Sequence, residues 1–317
     1  MSISGQTKLL GLLGWPVSHS LSPAMHNAAA AALQLDVVYL PLPVMPERVE
    51  EALHGLVALG FLGANVTVPH KQAVMPYISS IEPAAEAIGA VNTIKVTRTN
   101  DRGRQTADRN SLQSPVSNLQ SPISNLQSPI PNLHGFNTDW SGFLADLRAN
   151  DIGISGRDCV ILGAGGSARA VAYALAREGG GVTVFARRPA QAAELVEDLG
   201  SYLPSAALEA AAWQDLSQIQ DFKAALIVNT TPVGMHPNED ASPLPKECPL
   251  PRNADVYDVI YNPAETQLMR QARAAGCRAF NGLGMLLQQG ALAFEIWLGV
   301  RPSLQVMASA LRREGFA

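Results

Sequence analysis

The chain has 317 residues, of which 47% are hydrophobic and 16% charged, and its formal net charge is -4. This length allows two domains with proper cores, and the composition is that of an ordinary globular protein. Because phosphate contacts need clustered Lys and Arg, the acidic balance argues against a general nucleic-acid binder.

The cysteines and the first apolar run indicate where in the cell the protein is expected. Cys159, Cys248 and Cys277 lie far apart and form no CxxC pair, so no metal or dithiol site is predicted. An odd number of cysteines without a disulfide framework fits a reducing cytosol, and we expect a cytoplasmic protein. The apolar run that begins at Leu9 stops at Val17, short of the roughly 20 residues that span a bilayer, so neither export nor membrane association is predicted.

The first part of the chain alternates short apolar runs with helical patterns, which is typical of a parallel α/β sheet. We predict helices at 23–35 and 46–59, each opened by a proline, and Ser22 as the N-cap of the first. The predicted strands are short apolar runs at 9–14, 37–44, 64–68 and 91–96.

Residues 98–134 differ from the rest of the chain. A seven-residue repeat of Ser, Asn, Leu, Gln and Pro occupies 111–131, and proline in every repeat excludes a coiled coil. Such residues cannot bury a core, so we predict a low-complexity surface loop, extended or disordered, that contributes nothing to catalysis. The alternative is a lid or binding segment, because long loops often serve as one.

The second part begins with a predicted helix at 139–149 and continues as an independent βαβ run. The expected strands there are 158–162, 181–185, 224–228, 254–259 and 278–281, and the expected helices are 166–178, 189–199 and 265–275. Two further helices, 285–298 and 303–313, should pack back on the first domain. We therefore predict a two-domain α/β protein with a substrate-binding and catalytic domain at 1–138, a Rossmann-type domain at 139–284 and returning helices at 285–317.

A glycine-rich turn follows the strand at 158–162. Gly163, Gly165 and Ala168 form the pattern G-x-G-x-x-A, with Gly166 opening a helix. In this pattern the glycines permit a tight turn and a close approach to a pyrophosphate, and the helix N-terminus faces the phosphates. The strand–turn–helix context favours a dinucleotide site over an ordinary βα turn.

The end of the next strand indicates which dinucleotide binds. An acidic residue there would bind the ribose hydroxyls of NAD. The chain has Arg187 and Arg188 instead, and no Asp or Glu lies between Gly179 and Gln191. Guanidinium groups suit a 2′-phosphate, so the cofactor should be NADP, although two solvated surface arginines would look the same in the sequence.

Four polar segments, 18–23, 65–71, 89–93 and 135–139, follow apolar strands, where open parallel sheets place their ligands. Their hydroxyls and amides suit a polyhydroxylated substrate, and a serine pair at a helix N-terminus suits a carboxylate. Each segment alone would also be ordinary cap or turn chemistry. Lys71 lies in the second segment, and only five of the 23 basic residues are lysines. A lysine can exchange a proton where arginine cannot, although an exposed helix-start lysine is the alternative.

Seven motifs in one order resemble the shikimate dehydrogenase family over nearly the whole chain. They are HSLSP, NVTVPHK, GAVNT, GFNTDWSGF, GAGGSARA, NTTPVGM and NGLGMLLQQGA, and only the repeat insert interrupts them. The resemblance implies a small-molecule enzyme of aromatic amino acid and chorismate biosynthesis. It would reduce 3-dehydroshikimate reversibly to shikimate with NADPH, as a monomer or homodimer.

The resemblance also implies the roles of individual residues. Lys71 and Asp139 would be the catalytic pair, and Ser20 and Ser22 would hold the substrate carboxylate. The substrate ring would be surrounded by further polar residues, namely Asn65, Thr67, Asn92 and Gln289. The cofactor would be bound by Gly163, Gly165, Gly166, Ala168, Arg187 and Arg188, with Thr230, Val233 and Gly284 along the nicotinamide.

Two other functions remain open from the sequence. One is a quinate/shikimate dehydrogenase that uses NAD, against which the arginines at 187 and 188 count. The other is a non-catalytic shikimate-binding sensor on the same fold, against which Lys71 and Asp139 count. A fold alone would not separate an enzyme from such a sensor.

Overall fold

A computed structural model describes residues 3–97, 129–222, 226–245 and 248–313, which form two lobes around two six-stranded sheets. The first lobe is built from elements within 8–96 and 130–136, and the helices at 283–298 and 304–313 pack against it. The second lobe is built from elements within 158–281, and the helix at 139–149 lies between the lobes. Among the described residues, no helix combines the length and apolar character that a membrane span requires.

The first lobe is built from short elements. Its strands are β1 Lys8–Gly14, β2 Val37–Pro43, β3 Gly63–Val66, β4 Ile78–Ile81, β5 Thr93–Val96 and β6 Ile130–Phe136. Its helices are α1 Ser22–Ala32, α2 Val49–Ala58 and α3 Pro83–Ile88, and Pro46–Arg48 and Met75–Tyr77 form short 3₁₀ turns. The strand order is β2-β1-β3-β5-β6-β4.

Three predictions for this lobe were wrong. Its sheet is mixed, because β5 runs antiparallel to both β3 and β6. The predicted loop at 98–134 extends too far, since Ile130–Phe136 is a strand whose residues pair with β5, for example Leu133 with Val96. The remainder of that loop, 98–128, lies outside the described residues. Ser22 is not an N-cap but the first residue of α1, and no side chain caps that helix.

The second lobe follows the predicted βαβ pattern. Its strands are β7 Asp158–Leu162, β8 Gly181–Ala186, β9 Leu208–Ala212, β10 Leu226–Asn229, β11 Asp255–Asp258 and β12 Arg278–Asn281. The helices from α4 onwards are α4 Asp139–Ala149, α5 Gly166–Arg177, α6 Pro189–Tyr202, α7 Gln267–Ala274, α8 Leu283–Leu298 and α9 Leu304–Arg313, and 213–221 is a 3₁₀ segment. All neighbouring strands are parallel, in the order β12-β11-β10-β7-β8-β9. This is the Rossmann order, and the strand order reverses between β7 and β10, where such sheets bind ligands.

Helices α8 and α9 complete the core of the first lobe. Phe294, Trp297, Met307 and Leu311 are buried in one apolar cluster with residues of β1, α1 and β2. The indole Nε1 of Trp297 donates to the carbonyl oxygen of Ile94 at 2.9 Å, which ties α8 to β5. Helix α8 therefore belongs to the first lobe, although it follows the second lobe in the chain.

Helix α4 joins the two lobes by packing against α8 on one side and α5 on the other. The approach to α8 requires a glycine. A Cβ atom at Gly142 would lie only 2.7 Å from the backbone nitrogen and the Cβ of Gln289. Gly142 lies one helical turn after Asp139, the first residue of α4, so this close contact brings Gln289 of α8 near Asp139.

Candidate active site

Lys71 and Asp139 form an ion pair at the junction of the lobes. Lys71 follows β3, and its Nζ lies 2.6 Å from Oδ2 of Asp139 at the start of α4. The two side chains are 13% and 8% exposed, so the pair is largely shielded from water. Coulomb attraction is strong at such a site, and the ammonium group is held where it can donate a proton.

Asn92 orients the carboxylate of this pair. Its Nδ2 donates to Oδ1 of Asp139 at 2.8 Å and to Oγ1 of Thr138 at 3.0 Å. Its Oδ1 accepts the backbone N–H of Thr138 at 2.8 Å. Oε1 of Gln289 lies 3.5 Å from the same Nδ2, at the limit of hydrogen bonding. The structure therefore brings together four of the predicted residues, Lys71, Asn92, Asp139 and Gln289.

Two neighbouring residues in this network were not predicted from the sequence. Asn137 accepts the backbone N–H of Asp139 at 3.0 Å and donates to the carbonyl oxygen of Ala90 at 2.9 Å. Thr138 bonds both ends of the Asn92 amide. Both residues are buried, and they hold the segment before α4 against the segment before β5. The Asn-Thr-Asp order at 137–139 is the signal that could have identified them, because Asn side chains commonly hydrogen-bond the backbone two residues on.

The predicted substrate residues Ser20 and Ser22 lie at the start of α1. Oγ of Ser20 accepts the backbone N–H of Ser22 at 3.2 Å, and Ser22 is buried while Ser20 is partly exposed. Thr67 is partly exposed at the end of β3, next to the turn that carries Lys71. Asn65 is buried and donates to the carbonyl oxygen of Asn92 at 3.2 Å, which links it to the Lys71–Asp139 pair.

The glycine-rich turn lies between β7 and α5. Gly163 has a φ of +110°, which L side chains rarely adopt, and a Cβ there would meet Oγ1 of Thr230 at 2.7 Å. Around Gly165 no atom lies within 4 Å of the Cβ position, so its backbone is open to a ligand. A Cβ at Gly166 would lie 3.4 Å from Cδ of Lys71. The start of α5 therefore adjoins the Lys71–Asp139 pair.

The other predicted cofactor residues surround this turn. Ala168 is fully buried in α5, as close helix–strand packing requires. Thr230 Oγ1 donates to the carbonyl oxygen of Leu162 at 2.8 Å, which fixes it beside Gly163. Arg187 and Arg188 follow β8 and are exposed, with no ion pair to another described residue. Their guanidinium groups are therefore available to an anionic ligand.

Val233 and Gly284 lie on separate segments of the second half of the chain. Val233 is partly buried, and its backbone N–H donates to Oγ1 of Thr231 at 3.2 Å. A side chain at Gly284 would collide with the carboxylate of Asp146. Burial raises the pKa of Asp146, although hydrogen bonds from Tyr257, Asn150 and the backbone of Met285 oppose the shift.

Residues of both lobes also meet at His19 and His236. Their ring centroids lie 6.0 Å apart in an edge-to-face arrangement, and Nδ1 of His236 lies 2.8 Å from a carboxylate oxygen of Glu239. His19 belongs to the segment that carries the two serines, and His236 follows the NTTPVGM segment. The substrate and cofactor segments predicted from the sequence thus approach each other in the folded chain.

Comparisons with known proteins agree with this geometry. The family models for the shikimate dehydrogenase substrate binding domain and the shikimate 5'-dehydrogenase C-terminal domain match residues 12–94 and 282–312. The shikimate dehydrogenase (NADP(+)) of Moorella thermoacetica is 44% identical over 98% of this chain and 95% of its own length.

Two solved structures are similar over almost the whole chain. A crystal structure of a shikimate dehydrogenase in complex with NADP+ has a TM-score of 0.82 and 35% identity, covering 99% of this chain and 97% of that one. The shikimate 5-dehydrogenase of Thermus thermophilus, in complex with NADP(H) and shikimate, has a TM-score of 0.75 and 35% identity, covering 96% and 99%. The chain therefore belongs to the shikimate dehydrogenase family.

Proposed function

We propose that this protein is an NADP-dependent oxidoreductase that reduces 3-dehydroshikimate reversibly to shikimate, in aromatic amino acid and chorismate biosynthesis. The observation that carries the proposal is the shielded Lys71–Asp139 pair, 2.6 Å apart, beside the first residue of the helix that follows the glycine-rich turn. Relatives named shikimate dehydrogenase (NADP(+)) match 98% of the chain. The position of the pair beside the turn supports a proton donor next to a dinucleotide site.

The residues around the glycine-rich turn fit an NADP molecule. The open backbone at Gly165 and the N-terminus of α5 suit a pyrophosphate, and the exposed Arg187 and Arg188 suit a 2′-phosphate. Thr230, Val233 and Gly284 are proposed to line the nicotinamide. When bound, the cofactor supplies the hydride for the reduction.

In the proposed mechanism, the pair handles the proton. Negative charge develops on the ketone oxygen during reduction, and Lys71 supplies both a positive charge and a proton to that oxygen. Asp139 either holds the ammonium group in place or relays the proton, and Asn92 fixes the carboxylate. Ser20 and Ser22 are proposed to bind the substrate carboxylate, while Asn65, Thr67 and Gln289 bind its ring.

The test is an assay of the purified protein with shikimate and either NADP or NAD, followed by absorbance of the reduced cofactor. We expect turnover with NADP and a much lower kcat/KM with NAD. Faster turnover with NAD would favour a quinate/shikimate dehydrogenase, and shikimate binding without turnover would favour a sensor.

Light scattering on the same preparation distinguishes the proposed monomer from the homodimer. The proposed cytoplasmic location is supported by the three free cysteines, Cys159, Cys248 and Cys277.

A further inference from the structure

The phenol of Tyr39 contacts a residue that we propose binds substrate. Tyr39 lies on β2 and is 2% exposed, and its hydroxyl donates to Oδ1 of Asn65 at 2.8 Å. This bond joins β2 to β3 through two buried side chains.

The surroundings of Asn65 determine the direction of this bond. Its Nδ2 donates to the carbonyl oxygen of Asn92 at 3.2 Å and to Oγ1 of Thr93 at 3.1 Å. The reversed amide would set two carbonyl oxygens against each other, so Oδ1 must face Tyr39 and can only accept. Tyr39 thus gives its one proton to Asn65.

The ring of Tyr39 is held in place on several sides. The His26 ring stacks on it with centroids 4.4 Å apart, and the Trp297 ring lies 6.1 Å away. The backbone N–H and carbonyl of Tyr39 bond the Asn27 side chain at 2.8 and 3.0 Å. A buried tyrosine ordinarily needs one partner for its hydroxyl. Here that partner is Asn65, a residue of the proposed site.

We propose that Tyr39 is a positioning residue for the substrate, because its hydroxyl orients the Asn65 amide. The inference rests on the proposed function, in which Asn65 binds shikimate. Loss of this orientation weakens substrate binding, whereas Asn92 keeps its own bonds to Thr138 and Asp139.

The test is Tyr39→Phe in the full-length protein, which removes the hydroxyl and keeps the packed ring. It leaves Asn65 Oδ1 without its donor, so we expect the KM for shikimate to rise about tenfold. The KM for NADP should stay within about twofold and kcat within about threefold. The melting temperature, with and without shikimate, shows that the variant is folded and gives a second measure of binding.

Two control variants separate the hydroxyl from general packing. His26→Phe changes the ring stacked on Tyr39, and neither nitrogen of His26 has a hydrogen-bond partner among the described residues. Tyr173→Phe deletes another buried phenol hydroxyl, which accepts a bond from Arg177 at 3.2 Å. Both variants should keep the wild-type KM for shikimate. If His26→Phe raises it as much as Tyr39→Phe does, packing and not the hydroxyl is responsible, and the inference is overturned.

A double variant tests the route through Asn65. If Tyr39 acts by orienting Asn65, Tyr39→Phe should raise KM less in an Asn65→Ala background than in the wild type. Equal effects in both backgrounds, or an unchanged KM in the single variant, would overturn the inference while leaving the proposed function intact. A wild-type protein that neither binds nor oxidises shikimate would refute the proposed function, and the inference with it.

Discussion

Replacing Lys71 with alanine removes the ammonium group that lies 2.6 Å from the Asp139 carboxylate. If Lys71 is the proton donor, kcat should fall by about 10² or more, the usual contribution of a positioned acid or base. This factor corresponds to about 2.7 kcal/mol of transition-state stabilisation. Binding of NADPH should change little, because Lys71 approaches Gly166 through its methylene groups and not its charge.

The same substitution leaves a shielded carboxylate without its cation. Removing one partner of a fully buried ion pair costs about 3–5 kcal/mol of folding free energy. Asn92 still donates to Asp139 at 2.8 Å, and the Lys71 side chain is 13% exposed. The free energy of unfolding should therefore fall by less than about 3 kcal/mol, and the variant should remain folded.

The assay is steady-state oxidation of shikimate with NADP, together with denaturant unfolding of each variant. Lys95→Ala is the matched control, because Lys95 lies on β5 in the same lobe and should leave kcat unchanged. Lys71→Arg keeps the positive charge but cannot exchange a proton usefully, so it should also lose activity. A Lys71→Ala protein that keeps the wild-type kcat would refute the role of this pair.

Four further predictions concern other parts of the chain. Ser20→Ala combined with Ser22→Ala should weaken shikimate binding by roughly 1.5–3 kcal/mol for each bond to the carboxylate, and an unchanged KM would remove both serines from the site. Arg187→Ala should weaken NADPH far more than NADH, since only NADPH has the 2′-phosphate, and equal losses for the two cofactors would contradict the NADP assignment. Replacing 102–128 with Asn-Gly should keep kcat/KM within about a factor of three, because loop length costs roughly 0.6 kcal/mol per doubling; a folded but inactive protein would instead indicate a lid. Burial lowers the pKa of His26 from 6.5 to about 3. The unfolded chain therefore takes up a proton at His26 as the pH falls below about 6.5, and the folded protein loses stability. Urea unfolding at about pH 7 and about pH 4.5 measures this decrease in the free energy of unfolding, which should be about 2–3 kcal/mol smaller in His26→Phe than in the wild type.

The sequence was sufficient to predict five of the six strands of the second lobe, but not the arrangement of the first sheet. Strands such as 158–162 are apolar runs, and local periodicity identifies them. The strand Leu208–Ala212 was missed because Leu-Glu-Ala-Ala-Ala favours a helix, and pairing with β8 overrides that preference. The antiparallel position of β6 was missed because it depends on pairing with β5, and Pro131 made the segment resemble the repeats.

The chemistry of the site was easier to predict than its connections. The residue types at Lys71, Asn92 and Asp139 indicated their chemistry, and the structure brings them together. Their functional roles stay predictions. The contact of Tyr39 could not be predicted, because nothing in the sequence states which buried amide faces which hydroxyl.

The core of the first lobe contains residues from segments that are almost 300 residues apart, such as Leu10 and Trp297. During synthesis on the ribosome, β1, α1 and β2 emerge long before α8 and α9 can cover them, while the second lobe can fold as a unit. The nascent first lobe thus exposes an apolar surface until the last helices leave the exit tunnel. Gln289 is on α8, so the proposed active site is also assembled last. Shortening the chain before Trp297 should yield a folded second lobe beside an aggregation-prone first lobe.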